Sequence, residues 1–294
     1  MTQKTILAAV GQLPLDIDVL GRALALATTS KARLTVVHVL DLPGELGELE
    51  NIQTLLGQAA YAARDRIALS LADLGAAPNA YDILIRLGSH AIALIDICHE
   101  ISPDLIVMRA HQRGKIKEPR LGSTTDRVIA AAGTPVLVVK QGFRKPCEKV
   151  IVATNGTDQA LEASACVFAL FPKARTKLVQ VVQIPPQLKE AMLRVGSRQD
   201  DLKTLRKKLV AEAKTSLRAT AAKVGPQLKP KVYKGDPAKV LTRLCHVNNV
   251  DMIVLGQGHA SLVRRAFIGS VSRRLLRDAV CDVLIWCPKT PTNT

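Results

Sequence analysis

The feature that most constrains this chain is that it repeats itself. Asp104-Leu-Ile-Val-Met and Asp251-Met-Ile-Val-Leu stand 147 residues apart. The same offset carries Cys98-His99 onto Cys245-His246, Gly122-Ser123 onto Gly269-Ser270, Arg127 onto Arg274, and Val136-Leu137 onto Val283-Leu284. Upstream, Gly88 and Ala91 fall on Gly235 and Ala238 without a gap. At the N-terminal ends the offset drifts to 145, with Lys4-Thr-Ile-Leu-Ala over Lys149-Val-Ile-Val-Ala. Solenoid repeats recur every ~20–50 residues, so a period this long is one whole domain copied. The 294 residues therefore divide into two domains, 1–141 and 148–288, joined by the polar stretch Gln141-Gly-Phe-Arg-Lys-Pro-Cys-Glu148.

Each copy alternates short apolar runs with segments of helical periodicity. In the first, Thr5–Val10, Arg33–Leu40, Tyr81–Arg86, Leu105–Arg109 and Val136–Lys140 read as strands. Asp16–Ser30, Asn51–Leu74, His90–Glu100 and Ser123–Ala132 read as helices between them. The second copy follows the same plan, with a long helix near 200–224 carrying Leu202, Leu205, Leu209, Ala213 and Leu217 on one face. Apolar β-branched strands separated by helices need crossover connections, which makes the strands parallel. The expected fold class is α/β: two tandem doubly wound, Rossmann-like parallel sheets. Ligands of such sheets bind beyond the carboxyl ends of the strands.

Composition narrows the function. Aromatics make up 3% of the chain, so the core is aliphatic, and binders that stack single-stranded bases are disfavoured. The net charge of +16 is uneven. Residues 1–147 carry 16 basic against 14 acidic side chains, and residues 148–294 carry 25 against 11. Such a basic half suits a phosphate ligand, nucleic acid or an anionic surface, without choosing among them. Lys203, Arg206, Lys207, Lys208, Lys214 and Arg218 on the long helix read first as a solvated face and second as a docking surface.

No run approaches the ~20 apolar residues of a membrane span, and the N-terminus lacks the pattern of a signal peptide. The expectation is a cytoplasmic protein with reduced thiols. None of the six cysteines forms a C-x-x-C pair. The repeated Cys98-His99 and Cys245-His246 invite a metal reading, but adjacent helical residues point about 100° apart, so core cysteines beside surface histidines are favoured. Cys281 reads as a core residue, and Cys147 and Cys287 as the exposed thiols. No arrangement supplies a catalytic nucleophile or an efficient general base.

The densest signal is Leu255-Gly-Gln-Gly-His-Ala-Ser-Leu-Val-Arg-Arg-Ala-Phe-Ile-Gly-Ser-Val-Ser272. It follows a strand and opens a helix at Gly269-Ser270. Glycines admit close approach of an anion, the helix N-terminus offers unpaired N–H groups, and Ser270 and Ser272 add hydroxyls. Arg264 and Arg265 add charge. Neither a Walker A loop nor G-x-G-x-x-G is present.

On these residues the chain resembles a tandem universal stress protein, over nearly its whole length. The family's fold is that of the adenine-nucleotide α-hydrolases, and its nucleotide motif is G-x-x-G, nine residues, then G-[ST]. The second copy offers Gly256, Gly258, His259 and Gly269-Ser270, with His259 where the second glycine belongs. The resemblance implies ATP, with Mg2+, held by Leu255, Gly256, Gly258, His259, Gly269, Ser270, Val271 and Ser272 at the phosphates. It places Thr154, Asn155, Gly156 and Thr157 near the ribose, and the main chain of Val182 and Gln183 near the adenine. Asn155 stands where the family uses an acid.

In the first copy Arg109 and Gln112 replace both leading glycines, and the first strand ends in Val10-Gly11-Gln12-Leu13. The resemblance therefore implies a nucleotide in the second domain only. It also implies that Val136–Val139 and Val283–Trp286 pair within one chain as an intrachain pseudo-dimer. Two functions compete: a stress-response regulatory module binding ATP, and a nucleotide-free module that binds an anionic partner such as nucleic acid, an acidic protein or a membrane surface. A pyrophosphatase-type enzyme is weakest, because the S-G-G-x-D-S loop is absent.

Overall fold

A computed structural model describes residues 4–110, 123–144, 146–156, 159–256 and 268–287. They fall into two compact units, 4–146 with 268–269 and 282–287, and 147–256 with 270–281.

The first unit runs β1 (Thr5–Ala9), α1 (Ile17–Ser30), β2 (Arg33–Leu40), a short 3-10 turn (Leu46–Glu50), α2 (Leu55–Asp73), β3 (Tyr81–Leu87), α3 (His90–Ile101), β4 (Leu105–Arg109), α4 (Ser123–Ala131) and β5 (Val136–Val139). Its strands lie in the order β3-β2-β1-β4-β5 and pair in parallel, as the alternation of strand and helix requires. Val10 and Ile6 to Ala8, Leu34 with Val36 and Val37, and Leu105 to Met108 are buried, with Leu20 of α1 and Ile67 and Leu71 of α2 among the helical residues of the core. Each such side chain contributes roughly 1.5–3 kcal/mol by leaving water.

A sixth strand completes this unit. β10 (Asp282–Trp286) lies antiparallel to β5, with Val283 opposite Val138 and Ile285 opposite Val136. The pairing of the two last strands expected from the sequence is thus present. Asp282 anchors it. Its carboxylate accepts hydrogen bonds from the backbone N–H of Lys140 (2.8 Å) and Gln141 (3.0 Å), and lies 3.2 Å from the Arg22 guanidinium of α1. Both charged side chains are buried.

The second unit contains β6 (Lys149–Thr154), α5 (Gln159–Leu170), β7 (Arg175–Val182), α6 (Pro186–Arg194), α7 (Gln199–Val224), β8 (Lys229–Lys234), α8 (Pro237–Val247), β9 (Met252–Gly256) and α9 (Ser270–Asp278). Its parallel order is β9-β6-β7-β8. At its edge, β8 reads Lys-Pro-Lys-Val-Tyr-Lys, and its first three residues are exposed. Proline and lysine on an edge discourage another chain from adding a strand. α7 matches the long helix expected, but Val210 and Ala221 join Leu202, Ala213 and Leu217 inside, while Leu205 and Leu209 are half-buried.

The strand registers correct one sequence alignment. Ile6 lies opposite Leu105, and Val150 opposite Met252. Since Leu105 and Met252 are 147 apart, Ile6 corresponds to Val150, an offset of 144 and not 145. The side chains agree. Asp104 accepts from the N–H of Thr5 at 2.8 Å, and Asp251 from that of Lys149 at 2.9 Å. The matching lysines, Lys4 and Lys149, had pulled the alignment one residue out of step. Gly11, not Val10, is therefore the counterpart of Asn155.

Candidate functional site

In the second unit, the carboxyl ends of β6, β7 and β9 and the start of α9 carry the residues singled out above. At the end of β6, the Thr154 hydroxyl accepts from the N–H of Gly156 at 2.9 Å. Gly156 has φ +94°, a conformation that favours glycine, and this tight turn leaves Asn155 exposed. Val182 closes β7 with its side chain buried, and its carbonyl already accepts from Gly235 N–H at 3.0 Å. Exposed Gln183 follows it. Leu255 is buried, so only its main chain is available there. Gly256 ends β9, Gly269 immediately precedes α9, Ser270 is exposed at its first position, Val271 is half-buried, and Ser272 is buried. Thr157, Gly258 and His259, with Arg264 and Arg265, lie outside the described residues.

Two glutamines escaped the sequence reading. A methyl group at Gly256 would meet Oε1 of Gln159 at 2.8 Å, so the first residue of α5 leans over the bare backbone of β9. Gln180 of β7 lies opposite Thr154, with its amide nitrogen 3.3 Å from where a side chain on Gly156 would begin. Nothing in the sequence marks either residue, because their neighbours here are distant in the chain.

The first unit fills the corresponding place with charge. Arg109, the counterpart of Gly256, places its guanidinium 3.1 Å from Asp16 and 3.3 Å from Asp18. Asp16 is buried and also accepts from the N–H groups of Gly11 (2.8 Å) and Gln12 (2.9 Å), so it sits on the main chain that follows β1. Asp18 accepts from the N–H of Phe143 at 3.2 Å. His38, the counterpart of Gln180, is bound through Nδ1 to the Val10 carbonyl at 2.9 Å. An arginine with two carboxylates thus takes the position that a bare glycine holds in the other copy. Gln112 lies outside the described residues.

The paired Cys-His positions resolve as the helix geometry required: Cys98 and Cys245 are buried, and His99 and His246 exposed. Burial pushes the Cys98 thiol up to about 12. Cys281 is in the core as expected. Cys287 corrects the sequence reading. It is buried rather than exposed, and its thiol is likewise pushed up to about 12. Cys147 is half-buried. Among the described residues, no helix is long and apolar enough to cross a membrane.

Two α/β units built on one repeated pattern, the second with a glycine at the end of β9 and a helix start at Ser270, define the class, and comparison with known proteins gives the family. The model of the universal stress protein family matches residues 2–140 and again 146–286, and the chain belongs to that family. Universal stress protein MJ0531 of Methanocaldococcus jannaschii is 25% identical over 140 residues, 47% of this chain and 81% of that one. Universal stress protein MJ0577 of the same organism is 32% identical over 107 residues, 36% of this chain and 64% of its own length. Among solved structures, a universal stress protein from Archaeoglobus fulgidus aligns with a TM-score of 0.69 at 17% identity, covering 99% of this chain and 100% of its own. Protein PA1789 of Pseudomonas aeruginosa, described as functionally unknown, aligns with a TM-score of 0.65 at 17% identity over 98% of this chain and 94% of its own. These structural likenesses concern the fold.

Proposed function

We propose that this chain is a cytoplasmic regulatory module of the stress response that binds ATP or a related adenine nucleotide, with Mg2+, in its second copy, residues 148–288, and not in its first, residues 1–141. The observation that carries this reading is the contrast at one position. Arg109 fills the strand end of the first unit and is held there by Asp16 and Asp18. Gly256 leaves the same strand end bare. Around Gly256, the Asn155 turn and the start of α9 supply hydrogen-bonding groups suited to a ribose and to phosphates. Val182 spends its carbonyl on Gly235, so an adenine edge falls to the main chain of Gln183. Thr157, Gly258 and His259 complete the proposed ligand set. No general base stands beside these residues in the sequence, so the nucleotide acts as a ligand and turnover is slow at most.

The experiment is isothermal titration with Mg-ATP on the full chain and on Gly256→Arg, which copies the first unit's residue into the second. Among the described residues only the Gln159 side chain lies close to a side chain placed there, so the variant retains its fold, checked by circular dichroism. The expected result is one site per chain, absent in Gly256→Arg. Two sites per chain, or unchanged binding in the variant, refutes the assignment. No heat up to about millimolar nucleotide turns the reading to the nucleotide-free module.

A further inference from the structure

The second unit holds a cleft of about 300 Å³ beyond the carboxyl ends of β7 and β8. Its floor is Val182, Gln183, Ile184 and the turn at Gly235, which has φ +128°. Lys189 of α6, Arg206 of α7 and Lys234 of β8 line it, with Asp236 as its acid. None of the three cations makes an ion pair among the described residues. The nearby acids on the same helices are engaged elsewhere: Glu190 with Arg194 at 2.6 Å, Asp200 with Lys203 at 2.8 Å, and Asp201 with the N–H of Arg198 at 2.7 Å. Asp236 itself caps α8 by accepting from the N–H of Lys239 at 2.8 Å.

The repeat supplies an internal control. Gly88 N–H bonds the Leu40 carbonyl at 3.0 Å, and Gly235 N–H bonds the Val182 carbonyl at 3.0 Å, which fixes the correspondence of the two turns. At the position of Lys234 the first unit has Leu87, which packs with Leu40 against the cluster of Leu49, Ala60 and Ile85. One copy fills this place with leucine. The other leaves a cleft there and surrounds it with cations supplied partly by α6, where the first unit has the 3-10 turn Leu46–Glu50.

We infer that this cleft is a second ligand site, which takes a compact polyanion carrying two or more phosphate groups. Its volume is at the lower end of the ~300–1,000 Å³ range of small-ligand clefts, which suits a phosphorylated small molecule. Three exposed cations without an ion pair among the described residues, against one capped carboxylate, leave an excess of positive charge around the cleft, which salt screens. The cleft shares Val182 and Gln183 with the proposed adenine position, whereas the nucleotide reading places its phosphates at β9 and α9, away from Lys189, Arg206 and Lys234.

The test is titration of the full chain with inorganic pyrophosphate at low and high salt. Saturable binding that weakens with salt is expected. Lys234→Leu, which installs the first copy's residue, and Arg206→Gln each weaken it about fivefold or more, and together abolish it. Lys234→Arg retains it. Gly256→Arg separates the two sites: binding kept there and lost in Lys234→Leu supports the cleft, and the reverse pattern overturns it. Absence of saturable binding at low salt, or indifference to all three cleft substitutions in chains shown to be folded, also overturns it.

Discussion

Asp282→Ala tests how β10 is held. The substitution removes the acceptor of two backbone N–H groups, those of Lys140 and Gln141, and leaves the buried Arg22 guanidinium without this carboxylate. Loss of one partner from a buried ion pair costs about 3–5 kcal/mol. The two N–H bonds to the carboxylate that are lost enter the same penalty and are not added to it. The chain offers its own probe, because Trp286, the single tryptophan, ends β10. Urea unfolding followed by tryptophan fluorescence, at about 1–3 kcal/mol per molar urea, turns the loss into a midpoint lower by roughly 1–5 M. Arg22→Met combined with Asp282→Ala restores part of it, since the buried guanidinium that faced the carboxylate is then gone too. A midpoint shift below about 0.5 M for Asp282→Ala refutes the argument. The same residue sets a pH dependence. Burial raises the Asp282 carboxyl above its ordinary range, against the lowering by Arg22 and the two N–H groups. The folded chain therefore binds this proton more tightly than the unfolded chain. That contribution is complete below the unfolded value near ~3.9 and is lost as pH rises through the folded one. In Asp282→Asn, which cannot titrate, that part of the slope is missing.

Cys98 and Cys287, with thiols raised to about 12, stay unlabelled by a thiolate-selective reagent at mildly alkaline pH until the chain is unfolded, whereas half-buried Cys147 and Cys166 react before them; early labelling at position 98 or 287, read by peptide mass spectrometry, contradicts the burial argument. Gly57→Ala drives a methyl into the Asn51 carbonyl under the cap of α2, with an expected loss of about 1–3 kcal/mol in thermal or urea unfolding, and an unchanged midpoint shows that the contact relaxes freely.

The duplication, the parallel strands and the long α7 were legible because they are written in short-range periodicity and in repetition. α6 was not, because Pro186–Arg194 is nine residues long, buries none of them and brings only Leu188, Ala191 and Met192 to one face, too short a pattern to stand out. The offset at β1 was misread because two lysines matched better than the backbone does, and only hydrogen bonds to Asp104 and Asp251 set the true register. The candidate site shows the same limit. Loss of glycine at Arg109 was plain in the sequence, but its carboxylate partners lie some ninety residues earlier and come together only in the folded unit. The burial of Cys287 likewise depends on where β10 packs, which its position after the last strand does not disclose.

The placement of β10 has a consequence for synthesis. The strand that borders β5 is made nearly 150 residues after it. While a ribosome is still extending the second copy, the first therefore exposes an open apolar edge and an Arg22 still without its Asp282 partner. The first unit cannot close its sheet as it emerges, and waits, partly formed, until Asp282–Trp286 has been made. A chain broken off before Asp282 leaves the first unit without its sixth strand and Arg22 without that carboxylate.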